Sequence, residues 1–223
     1  MRQKLYSTYN PFFLVPYVLW LVIGGILFMT FDKRALFAAV NTHYSDFGNW
    51  FMYYTTWLGE GWVITSIVAL SLILFPAFRN WWYLITASLC AGLPSALSQW
   101  MKHLHSTPRP LNFFNKAAWI HIMPQWPVLM KNSFPSGHTT GAFSLMCFLS
   151  FMLPARYRPW GIVLFFIALM VAYSRLYLAA HFYEDAYVGS IIGGFGTLII
   201  YTVMKRYQPY FFKNKNADSK AVV

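Results

Sequence analysis

Phe12-Phe13-Leu14-Val15-Pro16-Tyr17-Val18-Leu19-Trp20-Leu21-Val22-Ile23-Gly24-Gly25-Ile26-Leu27-Phe28-Met29-Thr30-Phe31 contains no charged side chain. A helix over this run is about 30 Å long, the thickness of a bilayer's hydrocarbon core. The pattern recurs along the chain. No charge falls between Glu60 and Arg79, Arg79 and Lys102, His138 and Arg156, Arg158 and Arg175, or Asp185 and Lys205. Counting the window from Lys4 to Asp32, six such stretches predict six spanning helices, the fourth and fifth at the short end of the range. The runs are continuously apolar and do not alternate, which disfavours a β-barrel. The expected fold is therefore all-α, an integral membrane bundle of six transmembrane helices.

Composition agrees. Only 10% of the 223 residues are charged and 58% are hydrophobic, whereas soluble domains are about a quarter charged. Met1-Arg2-Gln3-Lys4 ahead of an apolar run resembles a signal peptide. The run is long and has no small-residue cleavage site, so it reads as a retained first helix. With six spans both termini share one side. Arg2, Lys4, Arg79, Arg156, Arg158, Lys205, Arg206, Lys213, Lys215 and Lys220 would be inside, and Lys33, Arg34, Lys102, Arg109, Lys116, Lys131 and Arg175 outside, ten against seven. The positive-inside rule then puts both termini in the cytoplasm. No basic helix or aromatic platform lies outside the apolar windows, so nucleic acid is not an expected partner. Cys90 and Cys147 fall inside apolar windows and say nothing about redox compartment.

The windows organise the rest of the chain as a single domain, 1–223. Helix one covers about Phe12–Phe31 and an outer loop follows over Asp32–Asp46. Helix two begins within Gly48–Gly61, an aromatic-rich stretch suited to a membrane interface. Glu60, between Gly59 and Gly61, is either a surface carboxylate at a helix end or a polar group facing the bundle. Helix three ends near Met101. The longest non-spanning segment is His103–Ser133, with Pro108, Pro110, Pro124 and Pro127; a loop of this length usually has a function or moves. Helix four is expected over Ser136–Leu153, helix five to about Leu178, helix six over Tyr183–Met204, and a basic cytoplasmic tail over 207–223.

Three places break the rule that membrane segments avoid charge, and such groups point to function. Lys102 and Arg109 flank the outer end of helix three. Pro135-Ser136-Gly137-His138 opens helix four. Ser174-Arg175, His181 and Asp185 bracket the loop between helices five and six. The predicted topology puts all three on the outer side. Ser136 can cap its helix, and Gly137 leaves room for an anion to reach backbone N–H groups at the positive end of the helix dipole. Lys102, Arg109 and Arg175 can hold a phosphoryl group and neutralise charge developing on it. Asp185, four residues after His181, shares its helical face and can fix the imidazole tautomer, leaving the other nitrogen free to attack. His138 can protonate the leaving oxygen. The chain holds six acidic residues, Asp32, Asp46, Glu60, Glu184, Asp185 and Asp218. Only Glu184 and Asp185 lie near these groups in the sequence, too few for a two-metal carboxylate site. His103 and His105, two apart, would point to different helix faces and are discounted as a metal pair. The expectation is no metal and no cofactor.

Lys102-x6-Arg109-Pro110, Pro135-Ser136-Gly137-His138 and Ser174-Arg175-x5-His181-x3-Asp185 resemble, in order and spacing, the three motifs of the type 2 phosphatidic acid phosphatase (PAP2) family. The resemblance covers roughly Phe47–Tyr201. It implies a six-helix membrane fold and metal-independent hydrolysis of a membrane lipid phosphate through a phosphohistidine. By position, His181 would be the nucleophile, Asp185 its orienter and His138 the acid/base; Lys102, Arg109, Ser136, Gly137 and Arg175 would bind the phosphoryl group. The expected place is the cytoplasmic (inner) membrane with the site on its outer face. The rival expectations are a phosphotransferase using the same site with an acceptor other than water, and a non-catalytic lipid-binding protein. The identity of the lipid is not encoded in any of these motifs.

Overall fold

The computed structural model describes residues 9–212. Arg2, Lys4, Lys213, Lys215 and Lys220, and with them the tail expected beyond 212, lie outside the described residues. Among the described residues every regular element is helical: α1 (Pro11–Thr30), α2 (Lys33–Asn41), α3 (Asp46–Trp57), α4 (Gly61–Leu74), α5 (Trp81–His105), the short α6 (Pro110–Phe113), α7 (Gly137–Met152), α8 (Trp160–Tyr177) and α9 (Tyr183–Phe212).

Local chemistry sets most of the starts. Asn10 caps α1 by accepting the Phe12 N–H, with Pro11 in the first helical position where its missing N–H costs nothing. Asp32, Ser45, Asn80 and Ser136 cap α2, α3, α5 and α7 in the same way.

Among the described residues α1, α8 and α9 are long and apolar enough to cross a membrane, and α3 with α4 makes a fourth candidate if that pair, bent by 64°, is one span. The six windows therefore do not all become long apolar helices. α5 has 25 residues, but Ser88, Ser95, Ser98, Gln99, Lys102, His103 and His105 dilute its hydropathy. α7 has 16 residues, about 24 Å at 1.5 Å per residue, shorter than a hydrocarbon core. It is instead the centre of the molecule, packed by α4, α5, α8 and α9. α1 exposes Val15, Val18, Leu19, Val22, Ile23 and Ile26 along its length. Such a surface suits lipid better than water, and the chain is a membrane protein.

Three expectations change. The outer loop after α1 contains α2, whose Phe37 is fully buried against Phe114, Trp119 and Phe182. Helix two is two helices, α3 and α4, meeting at a sharp bend at Leu58–Glu60. Helix six runs to Phe212 through Pro209 and does not stop near Met204.

α7 and α9 approach so closely that side chains would not fit between them. A Cβ on Gly193 would lie 2.3 Å from the Thr140 carbonyl oxygen, and one on Gly189 2.7 Å from that of Ser136. This small-residue contact lets the two backbones touch, as in other membrane helix pairs. It also fixes the start of α7, which carries His138, against the start of α9, which follows His181.

Candidate active site

The end of α5, the start of α7, the end of α8 and the start of α9 meet at one end of the bundle. They enclose a cavity of about 400 Å³, lined among others by Lys102, Arg109, Gly137, His138, Arg175 and His181. All four helices meet there by their termini, where a chain can be polar without breaking an internal ladder of hydrogen bonds.

The turn after α8 places His181. Ala179 takes a left-handed φ of 51°, and the Ala180 and His181 N–H groups both donate back to the Arg175 carbonyl, at 2.9 and 3.1 Å. The imidazole is then held at both nitrogens. Nδ1 lies 3.4 Å from Asp185 Oδ2, and Nε2 lies 3.4 Å from an Arg109 guanidinium nitrogen at the cavity wall. A carboxylate on Nδ1 favours the tautomer with its proton there, leaving the Nε2 lone pair toward the cavity. Burial, joined by Arg109, Arg175 and Lys102, holds the His181 pKa well below the usual histidine range. These surroundings favour the neutral imidazole, the form with a lone pair free to attack.

Asp185 does not line the cavity. It sits behind His181, 1% exposed, and its Oδ2 also accepts from Ser133 Oγ and, at 2.9 Å, from the Phe182 N–H. Its backbone carbonyl accepts the Ser136 N–H at 2.9 Å, tying the α7 start to α9. Ser136 is fully buried; its Oγ accepts from the Thr139 hydroxyl at 2.9 Å and faces the helix it caps rather than the cavity. Gly137 lines the cavity, and a Cβ there would meet Gln99 at 3.5 Å, ordinary contact distance. The glycine enlarges the cavity without being sterically required.

Arg109 is clamped by backbone carbonyls, donating to Lys131 at 2.7 Å, Ala180 at 2.9 Å and Asn132 at 3.3 Å. Its remaining contact is His181. Arg175 is 1% exposed. It donates to the Thr56 hydroxyl and stacks over the Trp126 ring, 4.9 Å to the centroid, while its Nε has no partner. A buried cation with an unused N–H is the mark of a site made for an anion. Lys102 reaches the Asn132 carbonyl at 3.4 Å.

His138 faces these groups from the first turn of α7. Its Nε2 is 2.9 Å from Glu60 Oε1, a close approach without the alignment of a good hydrogen bond. Of the two readings open for Glu60, the structure selects the one facing the bundle. His103 and His105 are exposed and lie outside the cavity.

The structure thus gathers Lys102, Arg109, Gly137, His138, Arg175 and His181 around one space, with Ser136 and Asp185 behind. It adds Ser133, Thr56 and Trp126, which no local pattern singles out. The PAP2 superfamily model matches residues 80–209, more than half of the chain. The chain belongs to the PAP2 superfamily. Glu60 and Thr56 fall outside the part that the PAP2 model matches. Over 198 residues, 86% of this chain and 88% of the relative, it is 26% identical to the undecaprenyl-diphosphatase of Sulfolobus acidocaldarius. It is 40% identical to the lipid A 4'-phosphatase of Bacteroides thetaiotaomicron over 70 residues, a match spanning only 30% of that relative. Among solved structures this PAP2 chain is similar to LpxE of Aquifex aeolicus, with a TM-score of 0.64 and 25% identity, covering 77% of this chain and 96% of that one. The PAP2-type phosphatidylglycerolphosphate phosphatase of Bacillus subtilis shares the fold, with a TM-score of 0.60 at 22% identity over 92% of this chain and 99% of that one.

Proposed function

We propose that this PAP2 phosphatase removes phosphate from a lipid phosphomonoester or diphosphate through a phosphohistidine on His181. The observation that carries the reading is the environment of His181: Nε2 turned to a cavity walled by Lys102, Arg109 and Arg175, Nδ1 on Asp185. His181 Nε2 attacks phosphorus while the three cations and the N–H groups at the α7 start stabilise the charge on the equatorial oxygens. His138 gives its proton to the leaving lipid oxygen, then takes one from the water that hydrolyses the N–P bond. Asp185 holds the ring in place and balances the cationic phosphoimidazole.

The proposal includes independence from metal. The carboxylates near the site have other partners: Glu60 approaches His138, Asp185 meets Ser133, Phe182 and His181, and Glu184 pairs with Lys33. A panel of phosphatidic acid, phosphatidylglycerol phosphate, undecaprenyl diphosphate and lipid A phosphate, offered to purified enzyme, tests the reading and selects the substrate. Free phosphate should be released from at least one in excess chelator, with inhibition by orthovanadate. Activity that disappears with chelator and returns with magnesium overturns the metal-free mechanism; a modified acceptor without free phosphate makes the enzyme a transferase.

The proposed topology has six spans: α1, the bent pair α3–α4, α5, α7, α8 and α9. It has both termini in the cytoplasm and the cavity on the outer side of the cytoplasmic membrane. Charge asymmetry supports it, together with the clustering of all three motifs at one end of the bundle. Cys90 and Cys147 are buried, so an introduced thiol can report alone. A cysteine at the exposed His43 should react with a membrane-impermeant maleimide in intact spheroplasts, and one at the exposed Ala77 only after permeabilisation. The reverse pattern inverts the topology.

A further inference from the structure

Glu60 occupies the helix-capping position of α4, yet its side chain makes no capping hydrogen bond. The carboxylate goes to His138 instead, Oε1 to Nε2 at 2.9 Å. The backbone is shaped for this contact. A Cβ on Gly59 would lie 2.6 Å from the His138 carbonyl oxygen, and one on Gly141 would lie 2.6 Å from Ile64 Cδ1. The two glycines let the α3–α4 bend press against the first turn of α7. Among the residues lining the cavity Glu60 is the one carboxylate, facing Lys102, Arg109 and Arg175.

That balance bears on the acid step. His138 is met by Lys102 from α5, Arg109 from the segment after it, Arg175 from α8 and His181 from the turn before α9, with Asp185 behind His181. Arg175 and Lys102 near an imidazole oppose its protonation, whereas a general acid must carry its proton until the lipid oxygen leaves. A negative charge beside His138 acts in the opposite sense and favours the protonated form.

We propose that Glu60 is a positioning residue for His138, supplying the negative charge that favours its protonated form as the general acid for the lipid leaving group. This rests on the assignment of His138 above. As the bond from His181 Nε2 to phosphorus forms and the phosphorus–oxygen bond breaks, the His138 proton passes to the departing oxygen. Glu60 then faces a neutral imidazole, which recovers a proton from the attacking water. The property of Glu60 that matters here is its charge, so charge is what the test removes.

Glu60→Gln keeps the size and removes the charge. On the best lipid of the panel, the alkaline limb of its kcat/KM profile should move to lower pH by about one unit, the low end of what an opposite charge at this range does. At pH 8 this is a loss of several-fold to about tenfold, with KM little changed. On p-nitrophenyl phosphate, whose leaving group needs no proton, the change should be within about twofold. Glu60→Asp, which keeps the charge, should bring the limb back toward its original position. In the His138→Ala background Glu60→Gln should have no further effect. An unmoved limb, or equal losses on both substrates, overturns the proposal, as does a lower KM alone, which would mean that Glu60 competes with phosphate for the cations. If His138→Ala itself shows no preference between the two leaving groups, it is the assignment of His138 that fails.

Discussion

His181→Ala should release no phosphate from any substrate, lipid or p-nitrophenyl phosphate, because no leaving group can bypass the attacking atom. His138→Ala should behave differently. Its task is one proton, a contribution of about 10² to 10⁴ in rate where the leaving oxygen is a poor one. A lipid alkoxide is such a group and p-nitrophenolate is not. The variant should therefore lose lipid hydrolysis by that factor while keeping much of its burst on p-nitrophenyl phosphate. Because the second step needs the same residue to activate water, an acid-labile phosphoenzyme should accumulate there. Asp185→Asn should be intermediate: it removes the charge behind His181 but leaves a carbonyl that can still accept from Ser133 and Phe182. Stopped-flow release of p-nitrophenol and acid-quench phosphoenzyme trapping measure these outcomes. Activity of His181→Ala on p-nitrophenyl phosphate, with His138→Ala dead on both substrates, would exchange the two roles.

What the sequence made legible follows from how far apart the informative residues are. Charge-free windows located α1, α8 and α9, because a span's polarity is a local property. They also located α7, but not its function as a buried 16-residue core helix, which depends on neighbours packed around it. α2 was read as loop because its apolar face is one buried phenylalanine, Phe37, on a helix starting Lys33-Arg34. The motif residues give a local signal because each carries its chemistry in its own side chain. Their supports do not. Ser133 reaches Asp185 across 52 positions and Thr56 reaches Arg175 across 119. A serine in a loop and a threonine in an aromatic stretch carry no signal of that. Glu60, between two glycines beside an apolar window, left two readings open, a surface carboxylate at a helix end or a polar group facing the bundle. Only the 64° bend at α3–α4 shows what it serves.

Arg175→Met should abolish turnover and yet leave the protein at least as stable as before. Arg175 is 1% exposed with Nε unpartnered, and its visible support is the Thr56 hydroxyl and the face of Trp126. A cation–π contact of this kind contributes up to about 2 kcal/mol when desolvated, and the Thr56 hydrogen bond to a charged group about 1.5 to 3 kcal/mol. Against them stands a desolvation cost of several kcal/mol for a buried ion, raised further by Arg109 and Lys102 across the cavity. Among the described residues no carboxylate pairs directly with it; Glu60 acts on it only from a distance, across the cavity. Methionine keeps the apolar stem and removes the charge, so Tm in detergent should be unchanged or higher. Catalysis has the opposite need. Losing a preorganised donor to the transition-state oxygens typically costs about 10² to 10³ in kcat, and here a full charge goes with it. Orthovanadate separates the two effects. It should raise the Tm of the parent enzyme by binding the folded state and should raise that of Arg175→Met little or not at all. A variant that melts well below the parent, or one that keeps vanadate stabilisation, would show that Arg175 holds the bundle together rather than the phosphate.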